Sequence, residues 1–520
     1  MANKNLFRSQ RGALLPQTDA TNQEGAPAYA FGPRHALAQY VATGCLNSTF
    51  YASAKDQLQQ LLSLARDVDD PFLAKAAVYA RTKGFMKDTP AVLCALLATR
   101  DTQLLRRVFD RVIDDGKMLR NFVQVMRSGA VGRKSLGTVP KKLAQGWLES
   151  RTDEQLFRAS VGNDPSMADL IKLVHPKPNS PQREALYGYL LERKHEATAL
   201  PEIVKQFEAF KAAVPNQRGV VPEVPFQMLT ALNLGQTEWA AIAKQAPWQM
   251  TRMNLNTFAR HGVFNDRAMV NTVAQRLKDP SAVRRARAFP YQLLAAFRSA
   301  GNEVPSPILE ALQDAMEVAT ENVPRLEGKI YVCPDVSGSM SSPVTGHRKG
   351  ATSSVRCIDV AALVAASILR QNPQAEVLPF ESNVVPVRLN ARDSIMTNAE
   401  KLAAVGGGGT NCSAPLAELN RRQAKGDLVV FISDNESWVD ATNGRGTGTM
   451  REWTVFKRFN PQAQLVCIDL QPSATTQANE GESVLNVGGF SDQVFEVIAA
   501  FTEGRLGAEH WVGVMDAISL

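Results

Sequence analysis

The run Tyr-Val-Cys-Pro-Asp-Val-Ser-Gly-Ser-Met at 331–340 closes an apolar stretch and brings Asp335, Ser337 and Ser339 into one tight turn, where three hard oxygen donors converge. Two more segments fit the same purpose: Gly-Gly-Gly-Gly-Thr-Asn at 406–411, which delivers Thr410, and Leu-Val-Val-Phe-Ile-Ser-Asp at 428–434, which delivers Asp434. Mg²⁺ takes near-octahedral oxygen ligands, and one or two carboxylates with hydroxyls and an open position suit it, as they suit Mn²⁺. Asp335, Ser337, Ser339, Thr410 and Asp434 are therefore the candidate metal ligands.

The Asp-x-Ser-x-Ser spacing, the distant Thr and the distant Asp after a strand-like run resemble the metal-ion-dependent adhesion site of von Willebrand factor A domains. The resemblance implies that Ser337, Ser339 and Thr410 bind directly and that Asp335 and Asp434 bind directly or through water. It leaves the sixth position for an acidic group from a partner. Catalysis finds little support. There is no G-x-S-x-G, and none of the six histidines is placed as a base for Ser337 or Ser339. No G-x-x-x-x-G-K-[ST] is present, and a two-metal nuclease needs more clustered carboxylates than Asp335 and Asp434 provide. A non-enzymatic protein is expected.

These residues must be positioned by elements, and the chain changes character along its length. Its 520 residues exceed what one core usually supports. Of the 58 Lys+Arg and 51 Asp+Glu, about 16 and 20 lie from 328 onward, leaving a net charge near +11 before that point and −4 after it. The basic part is the candidate for a polyanion. Six scattered cysteines without a C-x-x-C pair argue against a zinc knuckle and a disulfide scaffold. No secretory apolar segment and no stretch of about 18 apolar residues is seen, so a soluble, cytoplasmic protein is expected.

Residues 1–30, rich in Gly, Pro, Gln and Asn, read as a flexible N-terminal arm. From 31 to 325 apolar residues recur at helical spacing, as in Leu58, Leu61, Leu62 and Ala65, or Leu73, Ala76, Ala77 and Ala80. The breaks carry Pro or Asp, as at Asp70-Pro71, Asp88-Thr89-Pro90, Lys177-Pro178 and Asp279-Pro280. Many paired amphipathic helices suit an all-α HEAT-like solenoid. From 326 to 520 short β-rich runs (330–333, 377–380, 428–432, 464–470) alternate with helical stretches (355–371, 490–501), which predicts an α/β doubly wound domain with ligands beyond the carboxyl ends of its strands.

A helical part followed by Asp-Val-Ser-Gly-Ser-Met is similar to the Ro autoantigen family, whose helical part is the TROVE module. Besides the metal turn, the resemblance rests on Ser128-Gly129, Gly132-Arg133 and Lys141-Lys142 with Trp147; on Leu-Ile-Lys-Leu-Val-His-Pro-Lys-Pro at 170–178; on Phe-Ala-Arg-His-Gly-Val-Phe at 258–264; and on Arg-Ala-Arg-Ala-Phe-Pro-Tyr at 285–291. Lys134–Val139 departs from it as an insertion. The resemblance implies a monomer whose helical ring is closed by the A domain, with no catalytic activity. Its outer surface would bind Y-like noncoding RNA and its hole the single-stranded 3′ ends of misfolded structured RNA, with an exoribonuclease as a partner in some members. It places Lys172, His175 and Lys177 on the RNA-binding outer face.

The chemistry agrees, since lysine is a point charge for phosphate and imidazole can donate to phosphate or stack on a base; a helix C-cap is the other reading of His175. Arg120, Arg127, Arg133, Lys134, Lys141 and Lys142 make a basic run with Trp147 as its one stacking aromatic. Arg260, His261, Arg284, Arg285 and Arg287 complete the RNA-binding candidates, Arg287 being equally readable as a clamp on the A domain. His347, Arg348 and Lys349, in a polar loop beside the metal turn, could shield the open coordination position.

Overall fold

The computed structural model describes residues 15–43, 53–286, 288, 290–321, 323–347, 355–441, 446–471, 473–489, 492–504 and 510–520. They form two compact units. One comprises 1–67, 275–300 and 308–514, the other 68–274, 301–307 and 515–520. The boundary drawn at 325/326 marks the change from helical to alternating structure, whereas the compact units divide the chain elsewhere. The helix Pro33–Thr43 and, from Ile308 onward, the helix Ser306–Ala319 fall in the first unit.

The first unit is built on a five-stranded parallel sheet of order β4-β3-β5-β6-β8, with β3 (Ile330–Pro334), β4 (Glu376–Val377), β5 (Leu428–Ser433), β6 (Gln464–Asp469) and β8 (Val484–Gly488). Strand side chains alternate faces. Tyr331, Cys333, Val429, Phe431, Leu465 and Cys467 pack with Leu416, Leu419, Trp453 and Phe456 from the helices Ala414–Arg421 and Gly448–Phe459. The helix Cys357–Gln371, buried from Cys357 to Leu369, contacts β3 and β5. Burial on both faces explains why these strands read as continuous apolar runs. The order reverses at β3, with β4 on one side and β5 on the other, and such a switch point opens a crevice beyond the strand ends.

The described part of the presumed N-terminal arm is ordered structure. β1 (Ala20–Thr21) pairs antiparallel with β2 (Pro27–Ala30), and β2 pairs with β7 (Thr475–Thr476). Tyr29 is buried in the sheet core, and the phenol donates to the Pro16 carbonyl at 3.0 Å. The polar composition belongs to the turn between the strands, while Ala26, Ala28 and Tyr29 supply the buried face. Arg287 lies outside the described residues. A clamp onto the A domain is made by Arg298 instead, whose guanidinium meets the fully buried Asp359 at 2.6 Å, with Arg356 at 2.8 Å from the same carboxylate.

In the second unit the helices Asp70–Thr82, Thr89–Arg100, Thr102–Val112, Gly116–Ser128, Thr138–Ser150, Asp153–Ala159, Met167–Val174 and Pro181–Leu190 pack on next and next-but-one neighbours, as repeat arrays do. Their starts are chemically marked. Asp69, Asp101, Asp115, Ser166 and Ser180 each accept from a backbone N–H of the first turn. Among the described residues no helix is long and apolar enough to cross a membrane.

Candidate functional site

The turn at 335–340 is held by backbone. Asp335 N–H donates to Ile432 O at 2.9 Å, Val336 N–H to Phe380 O at 2.8 Å, and Gly338 N–H to Gly408 O at 3.0 Å, while Gly407 N–H returns to Val336 O at 3.0 Å. The turn is thereby fastened to β5, to the chain after β4 and to the glycine run. Gly408, at φ +74°, leaves the space where a Cβ would strike the Glu381 carboxylate. The run thus permits a close approach that no other residue type would tolerate there.

The five sequence-selected ligands come together. Thr410 Oγ1 donates to Ser337 Oγ at 3.0 Å, Ser337 Oγ and Ser339 Oγ lie 3.3 Å apart, and Asp335 accepts the Ser337 N–H at 2.8 Å. All five are buried. Burial and the nearby Asp434 charge push the Asp335 carboxyl up to about 7, against hydrogen bonds from Ser337 and Ser433. Burial likewise raises Asp434, opposed by a hydrogen bond from Ser339. Among the described residues no Lys or Arg pairs with either carboxylate, and no cluster of three or more His, Cys, Asp or Glu has metal-holding geometry. Two buried carboxylates facing three hydroxyl oxygens without a counter-cation form a donor set that fits a hard divalent ion.

Further groups surround the set that the sequence reading did not select. Ser433 Oγ donates to Asp335 Oδ2 at 2.6 Å and accepts the Asn435 N–H at 3.0 Å. Glu436, buried and pushed up to about 7 chiefly by burial, accepts from Gln23 N–H at 2.9 Å and Ser473 Oγ at 3.2 Å. Asp469, at the end of β6, is raised well above the ordinary carboxylate range by burial. Ser433 and Asp469 close the strands next to the turn, so position at a strand's carboxyl end is the signal that finds them. His347 is exposed; Arg348 and Lys349 lie outside the described residues.

The RNA candidates divide. Lys172, His175 and Lys177 are exposed, and His175 is also the C-cap of Met167–Val174, left-handed at φ 54°. Arg127 and Lys172, from two separate sequence segments, line one open groove of about 840 Å³ together with Gln124 and Asp169. Lys134 and Lys142 are exposed, and Arg133 and Lys141 are half-buried. Arg120 is not available. It is 7% exposed and donates to the Ala159 carbonyl at 2.7 Å, which makes it a structural tie between helices. Trp147 is not a stacking platform either: it is buried, and its Nε1–H donates to Ile113 O at 2.7 Å. Arg260 and His261 are exposed, and the His261 ring lies on buried Trp239 with centroids 4.3 Å apart and planes 12° apart. Arg284 pairs with Glu321 at 2.5 Å, and Arg285 is exposed.

Residues 329–502 match the family model of the Ro60 vWA domain. Over 97% of its length the chain is 24% identical to the RNA-binding protein RO60 of Deinococcus radiodurans, whose whole length is covered. A relative of the same name from Caenorhabditis elegans is 21% identical over 46% of this chain and 38% of that protein. The crystal structure of the Deinococcus radiodurans RO (RSR) protein matches with a TM-score of 0.61 at 22% identity, covering 91% of this chain and all of that one, which shows a shared fold. Residues 329–502 are thus a Ro60-type vWA domain, and the chain along nearly its whole length is similar to the RO60 protein of Deinococcus radiodurans.

Proposed function

We propose that this protein is the RNA-binding component of a ribonucleoprotein and acts by binding rather than by catalysis. The observation that carries the reading is the groove shared by Arg127 and Lys172, which presents two cations from separate segments, beside Asp164 and Asp169, on the basic part of the chain. Phosphate contacts of this kind position a structured RNA without reading its sequence, and a small Y-like RNA is the ligand of that surface. A second subsite takes single-stranded 3′ ends of misfolded RNA at Arg260 and His261. An imidazole already stacked on Trp239 extends an aromatic platform on which an unpaired base can continue. A role in RNA quality control with an exoribonuclease partner is part of the same proposal.

The A domain holds Mg²⁺ or Mn²⁺ through Asp335, Ser337, Ser339, Thr410 and Asp434. The ion neutralises two buried carboxylates and offers a position for an acidic ligand. A second reading, a metal-dependent protein-binding scaffold with the helical part as platform, is favoured by Trp438 and Val439, which are 47% and 39% exposed where their N–H groups meet the Thr410 carbonyl. The absorbance ratio at 260 and 280 nm of freshly purified protein, before and after high salt, separates the two. Co-purifying nucleic acid released by salt supports the RNA reading, and its absence together with no affinity for small structured RNAs overturns it.

A further inference from the structure

Between the helix Glu202–Ala212 and the short helix Phe226–Thr230 the chain runs through an irregular stretch, 213–225, that carries a buried cation. Arg218 is 8% exposed; Nε donates to Ala213 O at 2.9 Å and Nη1 to Asn233 O at 2.6 Å, and the guanidinium lies 5.4 Å from the centre of the Phe210 ring. Among the described residues Nη2 makes no hydrogen bond, and no carboxylate pairs with the side chain. A buried charge that meets only neutral carbonyls is costly until an anion reaches it. The approach is open, because Arg218 lines a cavity of about 670 Å³ whose walls include Ile203, Phe210, Val220, Val221 and Pro222.

Arg158 stands at the same cavity, with Nε on the Glu223 carbonyl at 3.0 Å and Nη2 3.9 Å from the carboxylates of both Glu154 and Glu223. Glu154, Glu202 and Glu223, which also line it, are exposed. Water screens those three, whereas the Arg218 charge acts in less polar surroundings and counts for more at equal distance. Acids at the rim turn away a polyanion and leave room for a single carboxylate. A second, apolar groove of about 440 Å³, with Phe226, Leu229, Ile242 and Met250, shares Val221, Pro222 and Glu223 with the first. Val220 beside them is 86% exposed. Two concavities along one stretch of wall suit an elongated ligand better than a compact one.

We propose that 213–225 is the docking site for an extended segment of a partner protein, whose Asp or Glu carboxylate pairs with Arg218 and whose neighbouring apolar side chains lie on Val220, Val221 and Pro222 and in the second groove. The site shares no residue with the Arg127–Lys172 groove or with the oxygen donors around Asp335, so it adds a protein partner whichever ligands those take.

Fluorescence anisotropy of a fluorescein-labelled peptide, Leu-Phe-Gly-Asp-Leu-Leu, titrated with the full chain tests this, beside a twin peptide in which asparagine replaces the aspartate. The parent chain should bind the acidic peptide saturably and at least about tenfold more tightly than the twin, since a carboxylate on a buried guanidinium is a desolvated charge pair. Arg218→Gln should erase that preference. Because Arg218 also ties two carbonyls, Val220→Asp provides a second variant at an exposed position where folding is not at stake, and it should weaken the acidic peptide at least about tenfold. No saturable binding, equal affinity of the parent for the two peptides, or affinity of Val220→Asp within twofold of the parent overturns the proposal. Displacement of the bound peptide by a structured RNA overturns it too and makes the cavity a phosphate contact.

Discussion

Thr410 Oγ1 donates to Ser337 Oγ across 3.0 Å, and Ser339 Oγ lies 3.3 Å from the same oxygen, so three buried hydroxyls converge. A cation bound as proposed would use the hydroxyl lone pairs, so shape and ligation can be separated at Thr410. Thr410→Val keeps the volume and removes the oxygen. The variant should remain folded, with urea stability lowered by no more than about 1–3 kcal/mol, while Mn²⁺ affinity measured by titration falls at least tenfold. Equal affinity would remove Thr410 from the ligand set. In the helical unit, exposed cations report on phosphate. Replacing Arg127 and Lys172 together by Ala should reduce the slope of log K against log salt for a structured RNA by roughly 1 to 2, at about 0.9 per lost phosphate contact on a duplex, with an unchanged slope meaning that the groove faces only solvent. Truncating His261 to Ala should weaken an RNA with a single-stranded 3′ tail by about 1–3 kcal/mol and leave its blunt counterpart unaffected.

At the level of elements, the clamp between the helix Pro290–Ser299 and the helix Cys357–Gln371 stores stability in one carboxylate. Burial alone would raise Asp359; hydrogen bonds from Arg356 and the Arg298 charge outweigh it and hold the group below the usual carboxylate range. A depressed folded value contributes stability that is present above about pH 4 and lost as pH falls through the folded value. Arg298→Ala should therefore lower urea stability by about 1–3 kcal/mol at pH 7, and the deficit should shrink as pH drops below about 4. The strands β3, β5 and β6 were legible because doubly buried parallel strands are unbroken apolar runs, and so was the convergence of Asp335, Ser337, Ser339, Thr410 and Asp434, because two of their three segments follow those runs directly. β1, β2 and β7 were not, since strands of two to four residues leave no periodicity in a local window, and β2 takes its second partner, β7, from more than four hundred residues away. Charge counting also misplaced Arg120: nothing in the run 120–142 reveals that the Ala159 carbonyl waits for its guanidinium. Trp147 failed for the same reason, its partner being the Ile113 carbonyl.

For the whole molecule, the candidate metal donors all lie in one compact unit and the groove with Arg127 and Lys172 in the other. Sites on separate elements act additively. Asp335→Ala with Ser337→Ala should abolish Mn²⁺ binding and leave the affinity for a structured RNA within about threefold, as measured by filter binding; a larger loss in a chain of unchanged circular dichroism would mean that the two sites communicate. The turn at Asn22–Gly25 between β1 and β2, tied to the A domain by Asn22 Nδ2 donating to Ser437 O at 2.7 Å, also carries a consequence in time. Its anchor Ser437 stands 415 positions downstream, so during synthesis at 5–20 residues per second the hairpin waits roughly 20–80 s for the surface it caps. The A domain thus completes its fold by reaching back for a stretch of chain made long before it, and anything that engages that stretch while it waits delays completion of the entire unit.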